Sequence, residues 1–158
     1  MALPITGVAD NNSAVGSLVD GHNNVVRDFG FKAGSGVKKN PGTPVTRSGA
    51  SGVADLALTA LVDGEPSNLM GVIVATSQRA QFENGDVCAV AQTGAIRVKV
   101  EEAVAPGDPC FIDTDTGDFY KTAASGRSKV IEAVFNSTAA ADGVAELQLN
   151  GPPFTVKS

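Results

Sequence analysis

The sequence predicts a mainly β protein, with an antiparallel β-sandwich or jelly-roll-like body (residues 51–158) behind an extended, loop-rich N-terminal arm (residues 1–50). Three observations point there. Short apolar runs recur at close spacing through the body, separated by turns bearing Gly, Asp or Asn, which is the pattern of a sandwich, jelly roll or barrel. Charged residues are only 18% of the 158 while Gly numbers 18 and Pro 8, a balance unlike a coiled coil or a charge-driven disordered chain. The first fifty residues are broken by Asn11-Asn12-Ser13, Gly21-His22-Asn23-Asn24, Gly34-Ser35-Gly36 and Asn40-Pro41-Gly42-Thr43-Pro44, which interrupt helix and strand periodicity alike.

Charge shifts at the same boundary. Five basic against three acidic side chains leave residues 1–50 at +2, and seven against fourteen leave residues 51–158 at −7. Within the arm, Val25, Val26, Phe29 and Phe31 form an apolar cluster that a solvated linker has no reason to carry. With Arg27 and Lys32 they are the candidate partner-binding residues, expected to order when they pack on a surface and to matter more for attachment than for folding.

In the body, Leu56–Val62 is apolar on both faces and suits a strand or a helix. Leu69 to Thr76 carries the β-branched Val72, Ile73 and Val74 and reads as a strand. Val87–Ala91 leads through Gln92-Thr93-Gly94-Ala95 into Ile96–Val100, where Ile96, Val98 and Val100 alternate with Arg97 and Lys99. The spacing predicts a hairpin with a Gly-containing turn. Cys110-Phe111-Ile112 and Asp118–Lys121 flank Asp113–Gly117, a second hairpin with a longer loop. Val130–Phe135 and Val144–Leu149 supply two more strands. Ile96, Val98, Val100, Phe111, Ile112, Val130, Ile131, Val134, Leu147 and Leu149 are expected in the core or an interface. One pattern occurs twice: Asn84-Gly85-Asp86-Val87-Cys88 and Pro106-Gly107-Asp108-Pro109-Cys110 each place a Gly-Asp turn before a strand, Gly supplying a positive φ and Asp bonding backbone amides.

Little chemistry is on offer. His22 is the single histidine, so no ordinary His-based zinc site is possible. Cys88 and Cys110 are expected as buried, reduced thiols. Asp113-x-Asp115-x-Gly117-Asp118 resembles a calcium loop only in part, since Gly117, Asp118 and Ala124 stand where an EF-hand wants Asp/Asn, Gly and Glu. It reads as a turn with Asx hydrogen bonds. Gly34-Ser35-Gly36-Val37-Lys38-Lys39 lacks the Walker spacing. The N-terminus carries no signal peptide pattern, no apolar run reaches a membrane-span length, and a net charge of −5 argues against nucleic acid as a partner. No catalytic, cofactor-binding or metal-binding residue is expected.

The succession Gly71-Val72-Ile73-Val74, Asn84-Gly85-Asp86-Val87-Cys88-Ala89-Val90, Gly94-Ala95-Ile96-Arg97-Val98-Lys99-Val100, Pro106-Gly107-Asp108-Pro109-Cys110-Phe111 and Thr116-Gly117-Asp118-Phe119 resembles the tailed-bacteriophage structural cement proteins, over roughly residues 69–121. Cysteine at 88 and 110 departs from the small or β-branched residues more usual in that family. The resemblance implies a capsid decoration protein made in the host cytoplasm that binds the outer capsid surface of a virion. It would bridge major capsid protein subunits, stabilise the shell, pair with itself as a homo-dimer or trimer, and use no enzyme activity, cofactor, nucleic acid or membrane. Two other readings compete. A tail- or fibre-associated β module binding host glycans calls for exposed aromatics, where this chain has no Trp and only Tyr120. A small hydrolase needs paired carboxylates in one cleft, and the sequence nominates none.

Overall fold

A computed structural model of the chain describes residues 15–19, 21–48, 52–55, 65–66, 68–76 and 79–157. Eleven strands follow one another: β1 (Val25–Lys32), β2 (Pro44–Ser48), β3 (Gly52–Asp55), β4 (Glu65–Pro66), β5 (Leu69–Ile73), β6 (Val87–Lys99), β7 (Pro109–Asp113), β8 (Phe119–Tyr120), β9 (Arg127–Phe135), β10 (Val144–Asn150) and β11 (Thr155–Lys157). No helix occurs among the described residues. The all-β expectation holds, and the run Leu56–Val62 lies outside the described residues.

Where the sequence suggested an antiparallel sandwich or jelly roll, the strands form one mixed sheet that closes on itself as a small barrel. β1 pairs with β3 in parallel, β3 with β2, β2 with β5 and β5 with β6, all antiparallel, and β6 returns to β1. Closure leaves these five strands no free edge. Phe31, Val45, Val53, Met70, Ile73, Cys88 and Val90 fill the barrel, with Phe82 from the preceding loop. A second ladder runs β6–β10–β9–β7–β8, and a parallel bridge from Phe119 to Val100 brings it back beside the end of β6. Ile96, Val98, Cys110, Ile112, Val130, Phe135, Leu147 and Phe154 are buried in this larger core. β11 lies against β9, with β4 outside it.

β6 therefore serves both cores, and its sequence shows how. Cys88 and Val90 point into the barrel while Ala89 and Ala91 turn to the larger core, so this stretch is apolar on both faces. Beyond Thr93 the strand follows the expected alternation: Ile96, Val98 and Val100 are fully buried. Arg97, on the opposite face, donates from Nη1 to Ser17 Oγ at 3.0 Å and to the Leu18 carbonyl at 3.1 Å.

The predicted turn at Gln92-Thr93-Gly94-Ala95 is absent, because β6 is continuous across it. Gln92 is buried and its amide donates to the Met70 carbonyl at 3.1 Å, which satisfies a polar side chain that a turn would have left in water. Gly94 has φ +109, and a Cβ there would fall 1.9 Å from Asn24 Oδ1. That oxygen accepts a hydrogen bond from the Ala95 amide at 3.0 Å. The glycine makes room for a side chain from the neighbouring segment rather than reversing the chain.

The segment expected as an extended arm supplies barrel wall. β1 covers one edge of β6 from Gly30↔Val87 to Val25↔Thr93, and β2 lies between β3 and β5. Residues 16–19 continue the same edge, with hydrogen bonds from Gly16 N to Arg97 O (2.7 Å), Arg97 N to Ser17 O (2.9 Å) and Val19 N to Ala95 O (2.9 Å). Apolar residues among breakers were here the short strands of a barrel, each anchored by a partner far along the chain.

Candidate functional site

Exposure along β1 divides the six residues singled out from the sequence. Phe31 is 1% exposed in the barrel interior and Phe29 is half-buried against the same cluster. Phe31 is thus a core residue and not a partner contact. Val25 and Val26 are 44% and 37% exposed, and Arg27 and Lys32 are exposed as well. These four stand on the outside of the molecule.

The sequence reading missed the neighbour that completes this wall. Val87, the first residue of β6, is 64% exposed and sits directly opposite Gly30 of β1. The Val87–Ala91 run is apolar throughout, and this hides which residue faces which core. Gly30, between Phe29 and Phe31, was the available signal: glycine interrupts an otherwise bulky strand there. Directly opposed residues share a face of an antiparallel pair. The outer face of β1 therefore presents Val26, Asp28, Gly30 and Lys32, with Val87 beside Gly30. Among the described residues, Arg27, Lys32, Lys38 and Arg47 make no ion pair.

Several ionic groups elsewhere are engaged within the fold. Asp86 Oδ2 accepts from the Glu83 amide at 2.8 Å and Asp108 Oδ2 from the Ala105 amide at 2.8 Å, while Gly85 and Gly107 have φ of +93 and +92. The two Gly-Asp turns are equivalent, as their sequences suggested, although each Asp reaches three residues back. Asp113 Oδ1 accepts from the Asp115 and Thr116 amides at 2.9 and 3.0 Å, the expected Asx turn. Those amides hold its carboxyl below the usual range. Glu102 loses some solvation, which acts upward, but hydrogen bonds from Thr122 Oγ1 and from the Lys121 and Thr122 amides outweigh this and lower its pKa. Arg127 lies 3.4 Å over the Tyr120 ring and donates to the Thr122 carbonyl at 3.1 Å.

A cleft of about 640 Å³ opens between the Asn40–Thr43 loop, Arg79 and the Thr116–Phe119 turn, with Lys99 among its lining residues. Arg79 is engaged by Asp86 at 3.1 Å, and Lys99 by Glu101 at 3.2 Å and Asp142 at 3.8 Å. Among the described residues no group of three or more His, Cys, Asp or Glu could hold a metal ion, and both cysteines are free and buried.

Residues 7–150 match the sequence profile of a phage family described as structural cement protein (E217 gp24/Pam3 gp6). No curated protein matches the sequence. Among solved structures, one described as the capsid of Myoviridae phage XM1 is similar over 86% of this chain and 89% of that one, with 20% identity and a TM-score of 0.67. A second, the head fibre gp8.5 N base of bacteriophage phi29, covers 80% of this chain and 94% of that one, with 13% identity and a TM-score of 0.48.

Proposed function

The chain belongs to the phage structural cement family, and from that premise we propose that it decorates the outer surface of the phage head, bridging neighbouring major capsid protein subunits and stabilising the assembled shell. The family match over residues 7–150 carries this reading. The exposed apolar residues Val26 and Val87 on the outer wall of β1 and β6 support that wall as the face that meets the shell. The protein binds the assembled lattice and not dissociated subunits, so mass action favours the lattice. Contacts to more than one capsid subunit raise the effective concentration at each, and individually modest interfaces then hold firmly. Association with itself as a dimer or trimer would multiply those contacts again.

The test uses heads of the parent virus assembled without this protein. Added protein is expected to co-sediment with them at a fixed ratio to the major capsid protein and to raise the temperature at which they release DNA. Saturable binding without any rise in that temperature would leave a decoration protein that does not cement. No co-sedimentation would remove the head-binding reading.

A further inference from the structure

The second ladder closes where β8 meets the end of β6, and little backbone pairing holds that seam. β6 and β10 pair from Val144↔Lys99 to Asn150↔Thr93, whereas β6 meets β8 at the isolated bridge Val100↔Phe119. Beside it the Glu101 amide donates to the Phe119 carbonyl at 3.0 Å. Glu102 then carries its carboxylate across the seam. Its Oε2 accepts from the Lys121 and Thr122 amides at 2.9 and 3.1 Å, and its Oε1 from Thr122 Oγ1 at 2.6 Å. Bonds to an ionised acceptor are about twice as strong as neutral ones. Behind the seam lie Val100, Ile112 and Phe119, none more than 2% exposed.

The charges around Glu102 fix what protonation would do. Arg127 faces it from β9, with Nη1 3.8 Å from Oε1, and the two side chains are only 18% and 28% exposed. Asp113, opposite Arg127 in the register of β7 with β9, is held by the amides of its own turn. Lys121 turns to Asp108 at 3.8 Å, and Glu101 is engaged by Lys99, which also attracts Asp142 and Asp118. Arg127 is thus the cation that acts on Glu102. We propose that Glu102 is an acid-released latch: its ionised carboxylate holds the β7–β8 hairpin shut against the end of β6, and protonation frees that hairpin while the rest of the sheet stays folded. Local opening of this kind draws on the least-bonded parts of a fold. Burial acts upward on the Glu102 pKa, but its hydrogen bonds and Arg127 bring it below the ordinary 4.5. The latch is therefore complete above 4.5 and lost as pH falls through the lower, folded value.

The chain supplies its own probe. Tyr120 is the single tyrosine and there is no tryptophan, so intrinsic fluorescence reports from the ring that lies under Arg127 at this seam. The experiment follows Tyr120 emission, far-ultraviolet circular dichroism and amide hydrogen exchange from about pH 6 to about pH 3. It uses the full-length protein, Glu102→Gln and Asp113→Asn, the last because Asp113 also titrates below the usual range. In the parent, Tyr120 emission is expected to change with a midpoint below 4.5 while the circular dichroism holds. Protection of the Lys121 and Thr122 amides should fall at least about tenfold over the same range. Glu102→Gln should show the altered emission and the weaker protection already at the upper pH, with no further transition. Asp113→Asn should keep the parent's transition.

Parent emission and protection that change only together with the circular dichroism would overturn the latch, since the whole molecule would then be unfolding. So would a Glu102→Gln protein that keeps the parent's transition, or an Asp113→Asn protein that loses it. A Glu102→Gln protein without β circular dichroism at the upper pH would overturn it as well, because the carboxylate would then hold the entire fold and not one hairpin.

Discussion

Phe31 and Val26 lie five residues apart on one strand, yet their substitution should have unlike consequences. Phe31 fills the barrel with Val45, Val53 and Ile73, so Phe31→Ala leaves a cavity and is expected to cost about 3–5 kcal/mol in denaturant unfolding. Val26→Ala removes an exposed side chain and should cost less than about 1 kcal/mol. Equal losses would contradict the inward and outward assignment. The cysteines give a prediction with a sign. Burial, followed by the nearby Asp28 and Asp86 charges, raises the Cys88 thiol to about 11, and burial alone raises Cys110. Unfolded thiols ionise nearer the ordinary value of 9.0. Stability from keeping Cys88 neutral is therefore complete below that value and declines as pH rises from there through about 11. Cys88→Val should make the alkaline decline shallower, and alkylation of the native protein at neutral pH should be slow. A reductant should leave the melting temperature unchanged, since neither thiol is bonded.

At the scale of elements, the two Gly-Asp turns offer matched substitutions. Asp86 and Asp108 each accept a backbone amide, but Asp86 also pairs with Arg79 at 3.1 Å whereas Lys121 stands 3.8 Å from Asp108. Both changes to Ala are expected to destabilise by about 1–2 kcal/mol in chemical unfolding, Asp86→Ala by the larger amount. The reverse order would mean that the Arg79 pair contributes nothing. These turns, the hairpin of β7 and β8 and the alternation of β6 after Thr93 were legible in sequence because each depends on residues a few positions apart. The supposed turn at Gly94 was not. Its requirement for glycine comes from Asn24, seventy positions away, and no local pattern records that contact. The parallel pairing of β1 with β3, which turns a sheet into a barrel, is equally non-local in its cause. The candidate site divides the same way. Apolar and basic residues at 25–32 were visible, but which of them faced outward depended on register with Val87.

Across the whole molecule, the first fifty residues change the most in meaning. An attachment arm would come away and leave a folded body. Here they hold β1 and β2, two of the five barrel strands, together with Phe31 and Val45 from the barrel interior. Removing residues 1–50 would open β3, β5 and β6 to solvent along their edges and uncover Met70, Ile73, Phe82 and Val90. Open edges and bare apolar surface are the conditions for edge-to-edge aggregation. The larger core is lined by β6, β7, β9 and β10, and most of its own contacts survive the deletion. The truncated protein is therefore expected to keep β circular dichroism but to lose the sharp melt and bind a hydrophobic dye. It should also scatter light at concentrations where the full chain stays clear. If it instead melts sharply at the parent's temperature, remains monodisperse and has lost only head binding, β1 and β2 belong to an arm and the barrel is not an obligatory part of the fold.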